Sequence, residues 1–311
     1  MSVPTAFPVS SHPGGICAVI VSYAPDRALL HRVLESARRQ VDHVVLFDNG
    51  SPLDATEPGL ETLADAAVTI VVSPHNVGLG AALNRACDRA RALGFGHVLL
   101  MDQDSVLDEG MVRHLSVALM ELGRDHPVAA VGPQFKDARN GAVAPFVRIG
   151  FPLNRKLYGG PGARVACDFL ITSGSLIPMA VLDRVGGMDE TLFIDNIDMD
   201  WCFRAAAAGF LLYGVCDAQM RHRIGEQLRP SRIKRDGVIV HKPFRLYYIM
   251  RNRVLLYPRA HTPAVWVAQD LPRLVLKFLG NALFIAPRGE RLVFMLRGLW
   301  DAVRGRSGPM P

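Results

Sequence analysis

The sequence predicts an α/β fold: a mostly parallel, Rossmann-like central sheet flanked by helices, with a C-terminal amphipathic helical extension. Three observations carry this expectation. Apolar runs at 16–21, 43–47, 68–72 and 98–101 alternate with segments whose apolar residues recur at helical spacing. Several of these runs stop abruptly at polar residues, as strands do at the carboxyl edge of a parallel sheet. Beyond residue 240 strand character gives way to basic segments with apolar faces.

The first run, 16–21, is uniformly apolar, which suits a strand buried on both faces, and it ends at Ser22-Tyr23. Asp26 is placed to cap a helix whose positions Leu29, Leu30, Val33, Leu34 and Ala37 share one face. The second strand, 43–47, ends at Asp48-Asn49-Gly50-Ser51 and completes a β-α-β opening. Polar residues at both strand ends predict a nucleotide-type crevice. Asp48 taken alone also fits an ordinary Asp-Asn-Gly turn. After the third strand comes His75-Asn76-Val77-Gly78-Leu79-Gly80, followed by a helix with Leu79, Ala82, Leu83, Ala86, Ala90 and Leu93 on one face. The glycines permit close backbone approach, and the helix N-terminus is expected to be able to meet phosphate. The full dinucleotide-binding spacing is absent.

The fourth run, Val98-Leu99-Leu100-Met101, stops at Asp102-Gln103-Asp104-Ser105. Alternation puts Asp102 and Asp104 on the same side of the chain. Paired carboxylates repel unless a cation lies between them, and hard oxygen ligands suit Mg²⁺ or Mn²⁺ rather than zinc. An Asp-rich turn after a core strand is the alternative.

A helix over 111–122 and a strand over 128–131 follow, and then loops with a short hairpin across 132–162. Residues 169–178 return to strand character around Ser173-Gly174-Ser175, a small polar step against which a sugar or phosphate could lie, or a strand bulge. Next, Asp195, Asp198 and Asp200 precede Trp201, more acid than one helix cap requires. A helix is expected to start near Asp198 and to end at Gly209. Asp200 is read as a cap or as an orienter of Trp201, worth on the order of 1 kcal/mol. The spacing of these residues does not fit an EF-hand. A strand at 211–215 leads to Arg221-His222-Arg223, and residues 244–256 read as an amphipathic helix containing Arg251-Asn252. The apolar stretch 274–286 is bounded by Arg273 and Arg288 and is too short to span a bilayer; 288–304 is a second basic amphipathic helix. Such a face can lie in a membrane interface or pack on the domain.

The 311 residues are half hydrophobic, enough for one large domain with an appendage. Residues 1–15 read as a loose tail without the features of a signal peptide. The net charge of +6 is unevenly placed: residues 221–311 hold 18 basic and 5 acidic side chains, and residues 1–220 hold 17 and 24. An acidic part that can hold a metal therefore precedes a basic part that faces an anion: a diphosphate, a membrane surface or nucleic acid. Five scattered cysteines without a C-x-x-C pair suit a reducing cytosol.

Taken in order, several short pieces resemble glycosyltransferase family 2, an inverting family with the GT-A fold. They are Val21-Ser22-Tyr23, Asp48-Asn49-Gly50-Ser51, Asn76-x-Gly78-x-Gly80-x3-Asn84, Asp102-Gln103-Asp104-Ser105, Ser173-Gly174-Ser175, Phe193-Ile194-Asp195-x2-Asp198-x-Asp200-Trp201, His222-Arg223-Ile224-Gly225 and Arg251-Asn252. The Asp-Gln-Asp-Ser and His-Arg-Ile-Gly elements are similar to those of bacterial rhamnosyltransferases that use dTDP-L-rhamnose. The resemblance implies a GT-A domain over 16–255, with a nucleotide-binding half to 130 and an acceptor-binding half from 131, and a basic helical region over 256–311. It implies that Ser22, Tyr23 and Asp48 hold the base and ribose, with Asn76, Gly80 and Gln103 also on the donor side. Asp102 contacts ribose or metal, Asp104 and His222 ligate the metal, and Asp198 is the general base. The commoner family pattern has a Glu-Asp pair there, so Asp200 is the competing base. Ser173, Gly174, Asp195, Trp201, Arg223, Arg251 and Asn252 fall to the substrates. The implied acceptor is a glycolipid or lipid-linked glycan: a rhamnolipid, O-antigen or exopolysaccharide precursor, met at an anionic membrane surface on the cytoplasmic side, with no nucleic acid. The rivals are a family 2 transferase using another nucleotide sugar, a metal-dependent phosphohydrolase with Asp102 as nucleophile, and a non-catalytic glycan-binding module.

Overall fold

The computed structural model describes residues 14–52, 59–137, 141–222, 227–229 and 238–311. The first half is built from β1 (Ile16–Ser22), α1 (Arg27–Arg38), β2 (His43–Asp48), β3 (Val68–Val72), α2 (Leu79–Ala92) and β4 (His97–Asp102). Its strands lie parallel in the order β3-β2-β1-β4. The uniformly apolar β1 and the centre of β4 are buried, because helices cover both faces of the sheet. Asp26 accepts the Leu29 N–H and starts α1 as expected.

The second half adds β5 (Val106–Leu107), α3 (Met111–Leu122), β6 (Val128–Asp137), β7 (Phe146–Arg148), β8 (Arg155–Leu157), β9 (Arg164–Cys167), β10 (Leu176–Pro178), α4 (Met179–Val185), α5 (Ile197–Ala207) and β11 (Leu211–His222). The sheet continues from β4 as β10-β6-β11-β5, with β9 also on β11. Here β6 and β11 run parallel, while β10, β5 and β9 are antiparallel to their neighbours. The hairpin expected within 132–162 is β7 with β8. Helices α1 and α3 cover one face of the sheet, and α2, α4 and α5 cover the other.

Two strands are longer than the sequence suggests. β11 does not stop at residue 215 but runs to His222, and its second part alternates: Cys216, Ala218, Met220 and His222 point inward. This is the period-2 pattern of a half-buried strand, which a search for continuous apolar runs passes over. β6 likewise continues through polar residues to Asp137, held by pairing with β11. Conversely, only residues 176–178 of the expected strand 169–178 are extended in the sheet.

After the ribbon of β12 (Gln227–Arg229) and β13 (Val238–Val240) come α6 (Pro243–Leu256), α7 (Ala264–Phe284) and α8 (Arg288–Val303). α6 is not one-sided: Leu246 to Asn252 are all buried. α8 packs directly on it at Gly298, where a Cβ would strike the Tyr247 carbonyl. Of the apolar stretch 274–286, residues 274–284 form the later part of a 21-residue helix that begins at Ala264. Its first turns carry Asp270, which pairs with Arg253 and Tyr257 of the α6 region. Among the described residues no helix is long and apolar enough to cross a membrane. All five cysteines are free and buried, and burial pushes the Cys17 and Cys87 thiols up to about 12.

Candidate active site

The carboxyl edge of the parallel strands gathers the residues expected at the nucleotide crevice. Ser22 lies in register with Asp48 on β2, and Val21 with Asp102 on β4. Tyr23 stands beyond β1 and is 46% exposed. Gln103 grips its backbone, accepting the Tyr23 N–H at Oε1 (2.7 Å) and donating from Nε2 to the Tyr23 carbonyl (3.3 Å). Gln103 is therefore placed to position Tyr23. Asp48 accepts the Ser51 N–H and hydroxyl (3.0 and 2.6 Å), which closes the turn after β2. Ser22 is fully buried, and its hydroxyl has no hydrogen-bond partner among the described residues.

The expectation that α2 presents its N-terminus to phosphate is corrected. The Leu79 N–H is taken by the Phe193 carbonyl (2.6 Å). The Asp189–Glu190 backbone packs so closely on Gly80 that a Cβ there would lie 2.8 Å from the Asp189 carbonyl. Gly80 thus serves close packing between segments rather than access for a ligand. Asn76 is also occupied: its Oδ1 accepts from Asn49 Nδ2 and the Gly78 N–H (3.2 and 2.9 Å), which ties two edge loops together.

Asp102, Asp104 and His222 converge, with one potential ligand atom from each lying within 4.8 Å of the others. The fold achieves this across 117 residues of chain, because β5, directly after Ser105, pairs with Met220-Arg221 of β11. His222 Nδ1 lies 2.7 Å from Ser105 Oγ and 3.6 Å from Asp104 Oδ1. Ser173 Oγ donates to Ser105 Oγ (2.7 Å) and accepts the Asp102 N–H (3.1 Å). Two carboxylates and an imidazole are a donor set that fits a divalent cation, and a buried hydroxyl that fixes the ring is the support such sites use. Ser105 is fully buried and had no role assigned from the sequence, though it closes the Asp-Gln-Asp-Ser motif. Ser173 and Gly174 were expected against a substrate. Instead Ser173 is buried beneath Asp102, and a Cβ at Gly174 (φ +85°) would run into Pro133.

The acidic block resolves into unequal carboxylates. α5 begins at Ile197 after Asn196, near Asp198 as expected, and Asp198 sits inside its first turn. By area Asp198 is only partly buried, but Leu170, Met188, Trp201 and Cys202 line the apolar hollow around it. Its pKa is raised from 3.8 to about 6, chiefly by desolvation and then by Asp195 and Asp102, against an opposing hydrogen bond from the Met199 N–H. A carboxylate near neutrality that feels Asp102 across the crevice is suited to take a proton. Trp201, expected at a substrate, is buried, with Nε1 donating to the Gly186 carbonyl (3.0 Å).

Asp200, the competing base, is fully buried and fully engaged: it meets Arg204 Nε (2.8 Å), Arg259 Nη1 (2.6 Å) and His261 Nε2 (2.9 Å). Arg259 also pairs with Asp189 (2.6 Å), so this cluster pins α5 to two neighbouring loops. Asp195 faces Arg245, with contacts of 2.5 and 3.2 Å.

The turn before α5 is conformationally costly, since Phe193, Asp195 and Asn196 all have positive φ (64°, 67° and 63°). Arg251 and Asn252 hold it. Arg251 donates to the Leu192 carbonyl, and Asn252 Nδ2 reaches the carbonyls of Leu192, Ile194 and Asp195 (2.8–2.9 Å). Both are fully buried, so their expected reach to a substrate is replaced by support of the loop that presents Asp198. Arg223 lies outside the described residues.

A nucleotide-type sheet edge, a cation-competent trio and a separate raised carboxylate on an α/β frame are the parts a glycosyltransferase with the GT-A fold needs. Residues 17–173 match glycosyl transferase family 2, and the chain belongs to that family. It is 28% identical over 300 residues to dTDP-rhamnosyl transferase RfbF of Shigella flexneri, spanning 94% of this chain and 97% of that protein. Its fold is similar to that of S. aureus TarS 1–349 in complex with UDP-GlcNAc (TM-score 0.58, 15% identity, covering 93% of this chain and 80% of that one). It is also similar to GalNAc-T7 with UDP, GalNAc and Mn²⁺ (TM-score 0.57, 13% identity), where it covers 94% of this chain but spans only 58% of that one.

Proposed function

We propose that this glycosyltransferase inverts the anomeric centre as it moves L-rhamnose from dTDP-L-rhamnose to a hydroxyl of a glycolipid or cell-surface polysaccharide precursor. The observation that carries the mechanism is Asp198, a carboxylate raised toward neutrality and electrostatically coupled to Asp102 at the metal-competent edge. In this reading Tyr23 and Asp48 take the base and ribose of the donor. Asp102, Asp104 and His222 would hold Mg²⁺ or Mn²⁺, which when bound would offset the charge of the leaving diphosphate. Asp198 accepts the proton of the acceptor hydroxyl while the hydroxyl oxygen bonds to the anomeric carbon. The bond from that carbon to the diphosphate oxygen breaks, and dTDP leaves. One displacement needs no covalent enzyme intermediate. The choice of dTDP-L-rhamnose is supported by the near full-length similarity to the Shigella flexneri protein. The test is a donor screen with membrane extract as acceptor and mass spectrometry of the product. A transferred hexose other than rhamnose would replace the donor assignment.

The metal assignment makes its own prediction. Asp104→Ala and His222→Ala should each abolish the metal-dependent part of dTDP binding, measured by calorimetry with and without Mn²⁺. If His222→Ala binds nucleotide and metal like wild type, the imidazole is not a ligand.

Peripheral attachment to the cytoplasmic face of an anionic membrane belongs to the same reading. Leu276, Phe284, Val293 and Trp300 are each more than half exposed on α7 and α8. Exposed Arg288, Arg297 and Arg304 flank them. Apolar side chains rimmed by cations suit an anionic interface. The protein should float with phosphatidylglycerol vesicles and lose binding as salt rises. Equal flotation with neutral vesicles at high salt would contradict the electrostatic part.

A further inference from the structure

The segment that follows α8 folds back onto α6 and onto the turn that precedes α5. Its root is fixed at Asp301. The Asp301 carbonyl accepts the Arg306 N–H (2.9 Å), and its carboxylate meets the Tyr247 hydroxyl of α6 (2.9 Å) and the Arg306 guanidinium (3.4 Å). Gly308 then bonds in both directions: its N–H donates to the Thr191 carbonyl (2.6 Å), and its carbonyl accepts from Arg251 Nη1 (2.6 Å). The Met310 N–H donates to the Tyr248 hydroxyl (2.9 Å). The Tyr248 ring in turn stacks on Phe193, with 5.2 Å between centroids and 15° between planes. Thr191 and Phe193 lie in the stretch that leads through the positive-φ residues to Asp198.

Arg251 joins the segment to that turn. Its guanidinium is fully buried. It donates to the carbonyls of Leu192 (3.0 Å) and Gly308, to Asn252 Oδ1 (3.0 Å) and to the Tyr247 hydroxyl (3.5 Å), and it lies over the rings of Tyr247 and Tyr248. All these partners are neutral, so the buried charge depends on their dipoles. Of the two carbonyls that hold it among the described residues, one belongs to the turn and the other to Gly308. Backbone in sparsely populated conformations persists only where its surroundings over-determine it. Here α6 grips the turn at 192, 194 and 195, and Gly308 grips it at Thr191. Gly308 itself has φ +83°, a conformation open to glycine, and a Cβ there would meet no atom within 4 Å.

We propose that residues 306–310 form a strap that positions Asp198, with Gly308 as its positioning residue. By holding Thr191 and supplying a carbonyl to Arg251, Gly308 keeps the turn at 192–196 in the conformation that presents the base. The inference rests on the reading of Asp198 as the general base.

The test uses the full chain and three kinds of measurement: transfer kinetics, dTDP binding with Mn²⁺, and hydrogen exchange of peptides covering 190–200. Gly308→Pro removes the N–H and forces φ to about −65°. It should lower kcat by on the order of 10–100-fold, since small misplacements of a reacting group cost that much. Donor KM and dTDP affinity should stay near wild type, and exchange over 190–200 should rise. Gly308→Asn keeps the N–H and tolerates positive φ, so it should restore most of the rate. Should Gly308→Pro not fold, Gly308→Ala, strained at this φ without a clash, takes its place. Added to Asp198→Asn, the change at 308 should bring no further loss, because residues that act as a unit are not additive. An equal fractional loss in both backgrounds would mean that the strap does not act through Asp198 and would overturn the proposal. Loss of dTDP binding together with kcat would do the same, by making the strap a general stabiliser. Full kcat and unaltered exchange in Gly308→Pro, with Asp198→Asn inactive, would overturn the strap alone. Full transfer by Asp198→Asn would instead remove the base reading, and the positioning claim with it.

Discussion

Asp198→Asn is expected to lower transfer at saturating donor by roughly 10²–10⁴-fold, the usual weight of general-base catalysis, while dTDP binding stays near wild type. The amide keeps the size of the side chain but cannot take a proton. The donor residues lie on the ends of β1, β2 and β4, on separate segments from α5. With the wild-type carboxyl raised to about 6, transfer should fall about tenfold per pH unit below that value as the base becomes protonated. The same shift fixes the direction of the stability effect. Between 3.8 and about 6 the folded carboxyl holds a proton that the unfolded chain has released. Stability tied to this group is therefore lost as pH rises through 6. Asp198→Asn removes that loss, so at pH 8 the variant should melt no lower than wild type. Circular dichroism, calorimetry of dTDP binding and rates at saturating donor check all three expectations. Retained transfer would move the base elsewhere.

Asp200→Asn is expected to act on the fold instead. Asp200 is 0% exposed and is the common partner of Arg204, Arg259 and His261. Neutralising it leaves partly buried cations facing a buried amide, and removing one member of a buried ion pair costs up to about 3–5 kcal/mol. The sequence alone, which cast Asp200 as a cap or an orienter of Trp201, suggests about 1 kcal/mol. Thermal unfolding separates the two figures, since the larger one lowers Tm by many degrees. Transfer measured well below the unfolding onset should survive in large part, because the variant still carries Asp198. A variant as stable as wild type but devoid of transfer would reverse the assignment and make Asp200 the base.

These opposite outcomes for neighbouring carboxylates mark the limit of what spacing can convey. Asp195, Asp198 and Asp200 look alike in the chain. Their roles follow from partners 50 to 61 residues away: Arg245 for Asp195, Arg259 and His261 for Asp200. Asp198 is distinguished by having no such cation among the described residues and by the apolar hollow around it. Arg251-Asn252 reads equally well as a substrate contact or as a brace. Only the packing of α6 beneath the turn at 192–196 makes it a brace.

The sequence by itself determined the parallel strands β1 to β4, because apolar runs long enough to be buried on both faces leave little choice of layer. It also placed Ser22, Asp48, Asp102 and Asp104 at one edge, because strands that end together in a parallel sheet present their next residues together. The tertiary structure alone decided two things. It brought His222 to Asp104 through the pairing of β5 with β11. It closed the N-terminus of α2 with the Phe193 carbonyl, where glycines had suggested a phosphate seat. Periodicity fixes which face of an element is buried. It carries no information about which distant side chain lies within a few ångströms, and at that range electrostatics and hydrogen bonding decide what a polar residue does.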